Sequence, residues 1–136
     1  MMRIAFAIEI VSPEALARYR EAHAAVPSEI AGPDGALAVI GLRAMSIHLL
    51  PPNTLFMQVE AEPGFDPERD FTRAVALHPV VQQWDDLMHG ELLRRLPGND
   101  TPLNWYRLET IFDWTRDAQS ALPGAPGNTP SGQNAA

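Results

Sequence analysis

The sequence predicts an α+β domain: a four-stranded antiparallel sheet, with strands and helices in the order βαββαβ and both helices on one face of the sheet. Three observations lead there. Residues 3–11 alternate with period two, residues 43–50 and 54–61 read as two strands joined by Pro51-Pro52-Asn53, and two helical patterns each open on a capping residue followed by proline. At 136 residues the chain is long enough for one hydrophobic core and too short for two.

The elements follow in order. In the first strand Ile4, Phe6, Ile8 and Ile10 fall on one side and Arg3, Ala5, Ala7 and Glu9 on the other, as at a core boundary. Ser12-Pro13-Glu14 supplies an N-cap with proline at the first helical position, and Leu16, Tyr19, His23, Val26 and Ile30 recur at spacings of three and four. Pro27 removes a backbone donor and disfavours helical geometry at Val26, so the helix breaks there and restarts at Pro27-Ser28-Glu29. Gly32-Pro33-Asp34-Gly35 is a turn before the hairpin, which carries Met45 and His48 near mid-sheet. Asp66-Pro67-Glu68 opens the second helical region; His78-Pro79 interrupts it, and Val81, Trp84 and Met88 continue an apolar face to about Leu93. Residues 104–113, aromatic and β-branched, make the last strand. From about Asp117 the composition turns to Pro, Gly, Ser, Asn and Ala, which cannot bury enough apolar surface to offset ordering entropy. The expected organisation is a domain over 1–116 and a disordered tail over 117–136.

This order is the split βαβ arrangement. Helices on one face leave the other uncovered, and the simplest cover is a second copy, so a homodimer with packed sheets is expected.

Composition narrows the function. Hydrophobic residues make up 46% of the chain, and 17 acidic against 10 basic residues give a net charge of −7. Phosphate binding needs clustered Lys and Arg, so neither nucleic acid nor an anionic membrane is an expected partner. No run approaches the roughly 18 apolar residues of a membrane helix, and Glu9 within the short opening apolar run does not suit a secretion signal. A cytoplasmic protein is expected. Cysteine is absent, which excludes disulfides and thiolate metal sites. His48 and His78 show neither His-x-x-x-His spacing with His23 nor a carboxylate pattern, and no glycine-rich phosphate loop occurs, so neither metal nor cofactor is expected.

The chemistry concentrates at Tyr19-x-x-x-His23, one helical turn apart on one face, and at Val81-Gln82-Gln83-Trp84-x-x-x-Met88. A histidine on an apolar face is either a hydrogen-bonded core residue or a group poised to move a proton near neutral pH. Tyr19 and Trp84 are likewise either packing aromatics or ligand contacts.

These segments resemble the L-rhamnose mutarotase family, cofactor-free enzymes of dimeric ferredoxin-like α+β fold, of the dimeric α/β-barrel type, that interconvert the anomers of a deoxy sugar. Arg3-x-Ala5-Phe6 is similar to the family's opening strand, Tyr19-x-x-x-His23 to its signature helix, and Ser46-Ile47 with Leu55-Phe56-x-x-Val59-Glu60 to its hairpin. Ala74-Val75-Ala76 followed by Val81-Gln82-x-Trp84-x-x-x-Met88 resembles the second signature, and Leu108 to Phe112 the last strand, a likeness over about residues 3–114. The departures are specific. A Trp-Pro-Glu run after the histidine is here Pro27-Ser28-Glu29, a sugar-contacting tyrosine of the second strand falls at Met45, and the second tryptophan of a Trp-Trp pair falls at Asp85.

The resemblance implies His23 as acid/base, Tyr19 as the group orienting it or the sugar, and Trp84 as a platform for the apolar side of a 6-deoxy pyranose. Met45 and Asp85 occupy contact positions, with Asp85 and Glu29 able to accept hydrogen bonds from sugar hydroxyls. Trp105, Tyr106 and Trp114 are candidate replacement platforms. The expected reaction is anomer exchange by general acid/base ring opening and closure. The same fold also carries small monooxygenases and ligand-binding modules, and fold alone does not choose among them.

Overall fold

The computed structural model describes residues 1–116; the expected tail over 117–136 lies outside the described residues. Strand β1 spans Met2–Ile10 and pairs antiparallel from Met2 to Glu9 with β3, Thr54–Ala61, which pairs in turn with β2, Leu42–Leu50. With β4 at Leu93–Arg94 and β5 at Tyr106–Arg107, the strand order is β2-β3-β1-β4, and the short β5 also pairs with β1. The period-two reading of β1 fixes its faces: Ile4, Phe6, Ile8 and Ile10 are buried, opposite or diagonal to buried Leu55, Met57 and Val59.

The proline-marked starts mark real helix ends. Ser12 caps α1, Pro13–His23, its hydroxyl accepting from the Ala15 N–H at 3.0 Å. Asp66 caps α4, Pro67–Val75, through the Glu68 N–H at 3.1 Å. His78 caps α5, Pro79–Leu87, its Nδ1 accepting from the Val80 N–H at 3.0 Å. The chain breaks after His23 and restarts as α2, Ser28–Ala31. All lie against the face of the sheet that carries the isoleucines, in two core clusters that Trp84 and Trp105 both touch.

Three features depart from the sequence reading. A short helix α3, Ala36–Val39, follows the glycine turn. A side chain at Gly35 would put its Cβ 2.6 Å from the Ser28 and Ile30 carbonyl oxygens, so the α2–α3 joint closes only around glycine. The expected last strand over 104–113 pairs only as β5, Tyr106–Arg107, and a second short strand, β4 (Leu93–Arg94), precedes it. The two share one edge: β4 takes Glu9 and Ile10 of β1, β5 takes Phe6 and Ala7, and the Leu108 N–H reaches the Ala5 carbonyl at 2.8 Å. Beyond that Ile111 and Phe112 stand 91% and 79% exposed, carried outward on a segment tied back by an Arg3–Asp113 ion pair. The third is a π-helical turn, Met88–Leu92, that ends α5. No helix among the described residues is long and apolar enough to cross a membrane.

Candidate functional site

The helices and the sheet enclose a cavity of about 750 Å³. Its floor is the helix-facing side of the sheet at Phe6, Met45 and Met57; α1 supplies Tyr19 and His23, α5 supplies Trp84 and Asp85, and the 102–105 segment closes one side. Its volume lies within the range of small-molecule sites.

Three rings define one wall. Tyr19 and His23, one turn apart, stack with centroids 4.1 Å apart at 29°, and Trp84 meets the other side of His23 edge-on at 5.0 Å and 70°. The His23 Nδ1 lies 2.8 Å from the Tyr19 carbonyl oxygen. A carbonyl only accepts, so Nδ1 carries the proton and Nε2 is the nitrogen whose lone pair is available in the neutral ring. The imidazole thus has a fixed tautomer and orientation.

Tyr19 is 6% exposed, and its hydroxyl has no hydrogen-bond partner among the described residues. Burial pushes the phenol above the ordinary tyrosine range, so it stays protonated and serves as a donor. Met45 lines the floor and Asp85 the rim, so the five residues singled out from sequence, Tyr19, His23, Met45, Trp84 and Asp85, border one cavity. Trp105, of the three candidate platforms, borders it too; Tyr106 and Trp114 are 41% and 54% exposed and lie outside its lining. Glu29 is exposed and outside the lining. His48 points to the other face of the sheet, 3.1 Å from the Ser46 hydroxyl, and His78 is used as a helix cap. Among the described residues no group of three His, Cys, Asp or Glu side chains gathers as a metal site.

The sequence reading missed His89. It borders the cavity one turn after Asp85, with Nε2 3.9 Å from the Asp85 carboxylate, and the Asp85-x-x-x-His89 spacing was the available signal. Burial lowers its pKa and Arg95 acts in the same direction, against the opposing pull of Asp85, so the ring is held toward the neutral form. Arg95 also pins the segment beside the cavity, donating to the Asn104 side chain at 3.1 Å and to the carbonyls of Thr101 and Pro102.

Residues 3–114 match the family model of L-rhamnose mutarotase. The chain belongs to the L-rhamnose mutarotase family. A relative in Dictyostelium discoideum, a UPF0734 protein, is 32% identical over 118 residues, covering 83% of this chain and 91% of its own. Among solved structures, an L-rhamnose mutarotase of Formosa agariphila superposes with a TM-score of 0.59 at 23% identity, over 85% of this chain and 100% of that one. Tetracenomycin F2 cyclase of Streptomyces glaucescens, a type-II polyketide cyclase, superposes at 0.55 and 18% identity, over 85% and 98%. At these identities the two structures speak to the fold alone. They agree with the ferredoxin-like α+β architecture, which this mutarotase-family chain shares with proteins of other chemistry.

Proposed function

We propose that this protein exchanges the α and β anomers of a deoxy pyranose, with L-rhamnose the first candidate and L-fucose the second. The observation that carries this reading is His23, fixed in one tautomer between Tyr19 and Trp84 on the wall of a small-molecule cavity. Ring opening needs an acid at the ring oxygen and a base at the anomeric hydroxyl. The C1–O5 bond breaks as C1=O1 forms, the carbonyl turns over, and the same protons return on the other face. A histidine held by one nitrogen and open at the other can give and retake the ring-oxygen proton. Tyr19 donates a hydrogen bond to a sugar oxygen, Trp84 packs on the methyl-bearing face, and Met45 extends that apolar surface where a tyrosine contact of the family is lost. In this reading residues 1–116 hold the whole of the catalytic side chains.

The test is magnetisation transfer between the anomers of L-rhamnose and L-fucose, with and without protein. Exchange no faster than in buffer for either sugar would sink the proposal. Tyr19→Phe keeps the ring stack and removes one hydrogen bond, about 1 kcal/mol, so the rate at low sugar concentration falls by roughly five- to tenfold. An unchanged rate would mean the hydroxyl touches no sugar.

A second reading has its own support. Most of the cavity wall is apolar, from Val26 and Ile30 to Phe71, Leu103 and Trp105, which suits an aromatic ligand of the kind a cyclase or cofactor-free oxygenase takes. Turnover of quinol-like compounds in place of anomer exchange would select it.

We also propose a homodimer built through the sheet face that the helices leave bare. The isoleucine-bearing side of the sheet is the helix-covered one; the other side carries small Ala5, Ala44 and Ser46 beside Phe56 and Gln58, and Ile111, Phe112 and Trp114 stand exposed. Sedimentation at micromolar concentration should give a dimer, and Phe112→Asp should shift it to monomer. A wild-type monomer would remove the claim.

A further inference from the structure

Acid/base ring opening requires two proton-handling groups, and His23 is one. The cavity holds one other imidazole. We propose that His89, with Asp85 one turn before it, takes and returns the proton of the anomeric hydroxyl while His23 serves the ring oxygen, an assignment that rests on the anomer-exchange reading.

Four observations carry it. His89 borders the same cavity as His23, Tyr19 and Trp84, from the π-helical turn that ends α5. Its side chain is 21% exposed, and neither ring nitrogen has a hydrogen-bond partner among the described residues, so the ring is open to an occupant. Desolvation favours its neutral form, which leaves a lone pair to accept a proton. Finally, the Asp85 carboxylate at 3.9 Å is too far for a hydrogen bond yet close enough to stabilise the imidazolium that forms when the proton arrives. Asp85 stands where the family resemblance has a tryptophan, so one replacement removes a platform and supplies a counter-charge.

Of the surrounding charges only Arg95 acts on His89, opposing its protonation, and Asp85 is the counterweight. Arg18 of α1 is engaged by Glu91 at 3.1 Å, Arg94 of β4 by Glu9 at 2.9 Å, and Arg95 by the 99–104 segment. His23, across the cavity, is held by the Tyr19 carbonyl. The protons balance: neutral His89 gains the O1 proton as protonated His23 gives one to O5, and ring closure reverses both transfers.

The experiment combines two variants with a sugar titration of the wild-type protein. His89→Gln should lower kcat for anomer exchange at least about a hundredfold with KM little changed, the low end of what general acid–base catalysis is typically worth. Asp85→Asn should cost less and should move the acid limb of the kcat profile to lower pH, because it removes the charge that favours protonated His89. A purely structural role would lower Tm and leave that limb in place. In the wild type, L-rhamnose should shift the imidazole NMR signals that His89→Gln abolishes; these signals and Asp85→Asn decide the matter if His89→Gln does not fold. Equal rates in wild type and His89→Gln, with those signals unmoved by saturating sugar, overturn the role of His89 and leave the anomer-exchange reading standing. Sugar that shifts the signals of a wild type unable to exchange anomers overturns that reading instead, and supports His89 as a sugar contact.

Discussion

Replacing His23 by Asn should lower anomer exchange at least about a hundredfold while the protein stays folded, since general acid/base assistance is typically worth about 10²–10⁴ in rate. The geometry explains why the loss is chemical. Asn keeps a polar group that can still reach the Tyr19 carbonyl, now 2.8 Å from Nδ1, but it has no second nitrogen able to cycle a proton. Stacking on Tyr19 and the edge contact with Trp84 are lost as well, about 0.5–1.5 kcal/mol for such a ring pair, so a modest fall in Tm accompanies the rate effect. Circular dichroism and the exchange rate separate the two. A variant that unfolds while its remaining folded fraction stays fully active would make His23 a packing residue and move the acid/base elsewhere.

Asp70→Ala should destabilise the fold by about 1–3 kcal/mol, the cost of stranding buried hydrogen-bond groups. Asp70 is 2% exposed and ties the start of α4 to its own turn: Oδ2 accepts the Asp66 N–H at 2.9 Å, while Arg69 and Arg73 donate at 2.8 and 3.3 Å. Arg69, then the Asp66 N–H, outweigh the burial penalty and hold the carboxyl well below the usual carboxylate range. Both arginines are partly in water, which screens their share of the stabilisation, whereas the Asp66 N–H bond is not weakened in this way. The folded pKa lies below the unfolded one, so the contribution is complete above about pH 3.9, the ordinary aspartate value, and is lost as pH falls from there through the depressed folded value. Thermal melts at pH 7 and pH 3 check this: the gap between wild type and variant should narrow in acid, and an equal gap at both would contradict it. Asp70 does not line the cavity, so exchange per folded molecule should be unaffected.

Much of this was legible locally. Ser12-Pro13, Asp66-Pro67 and His78-Pro79 mark helix starts because a side-chain acceptor and a preset φ act on the next few residues only, and the β1 alternation fixes its buried face for the same reason. Tyr19 and His23 were legible as neighbours because helical spacing alone stacks them. Helix α3 was not, since four residues, Ala36–Val39, are too few to show a period. The strand expected over 104–113 failed for a different reason. Its aromatic and β-branched residues favour a strand, but a strand exists only where an edge is free, and β1 divides that edge between Leu93–Arg94 and Tyr106–Arg107.

The sequence by itself determined the helix starts, the sheet's buried face, the Tyr19–His23 pair and the acidic, cysteine-free composition, all of which depend on residues within a turn or two of one another or on simple counts. Only the tertiary structure decided that Trp84 closes on His23, that Trp105 enters the cavity while Tyr106 and Trp114 do not, and that Asp85 and His89 face the same space. Those contacts join segments up to about 80 residues apart, and their geometry follows from how β1 shares its edge and how α5 unwinds into a π-helical turn, which no local spacing encodes.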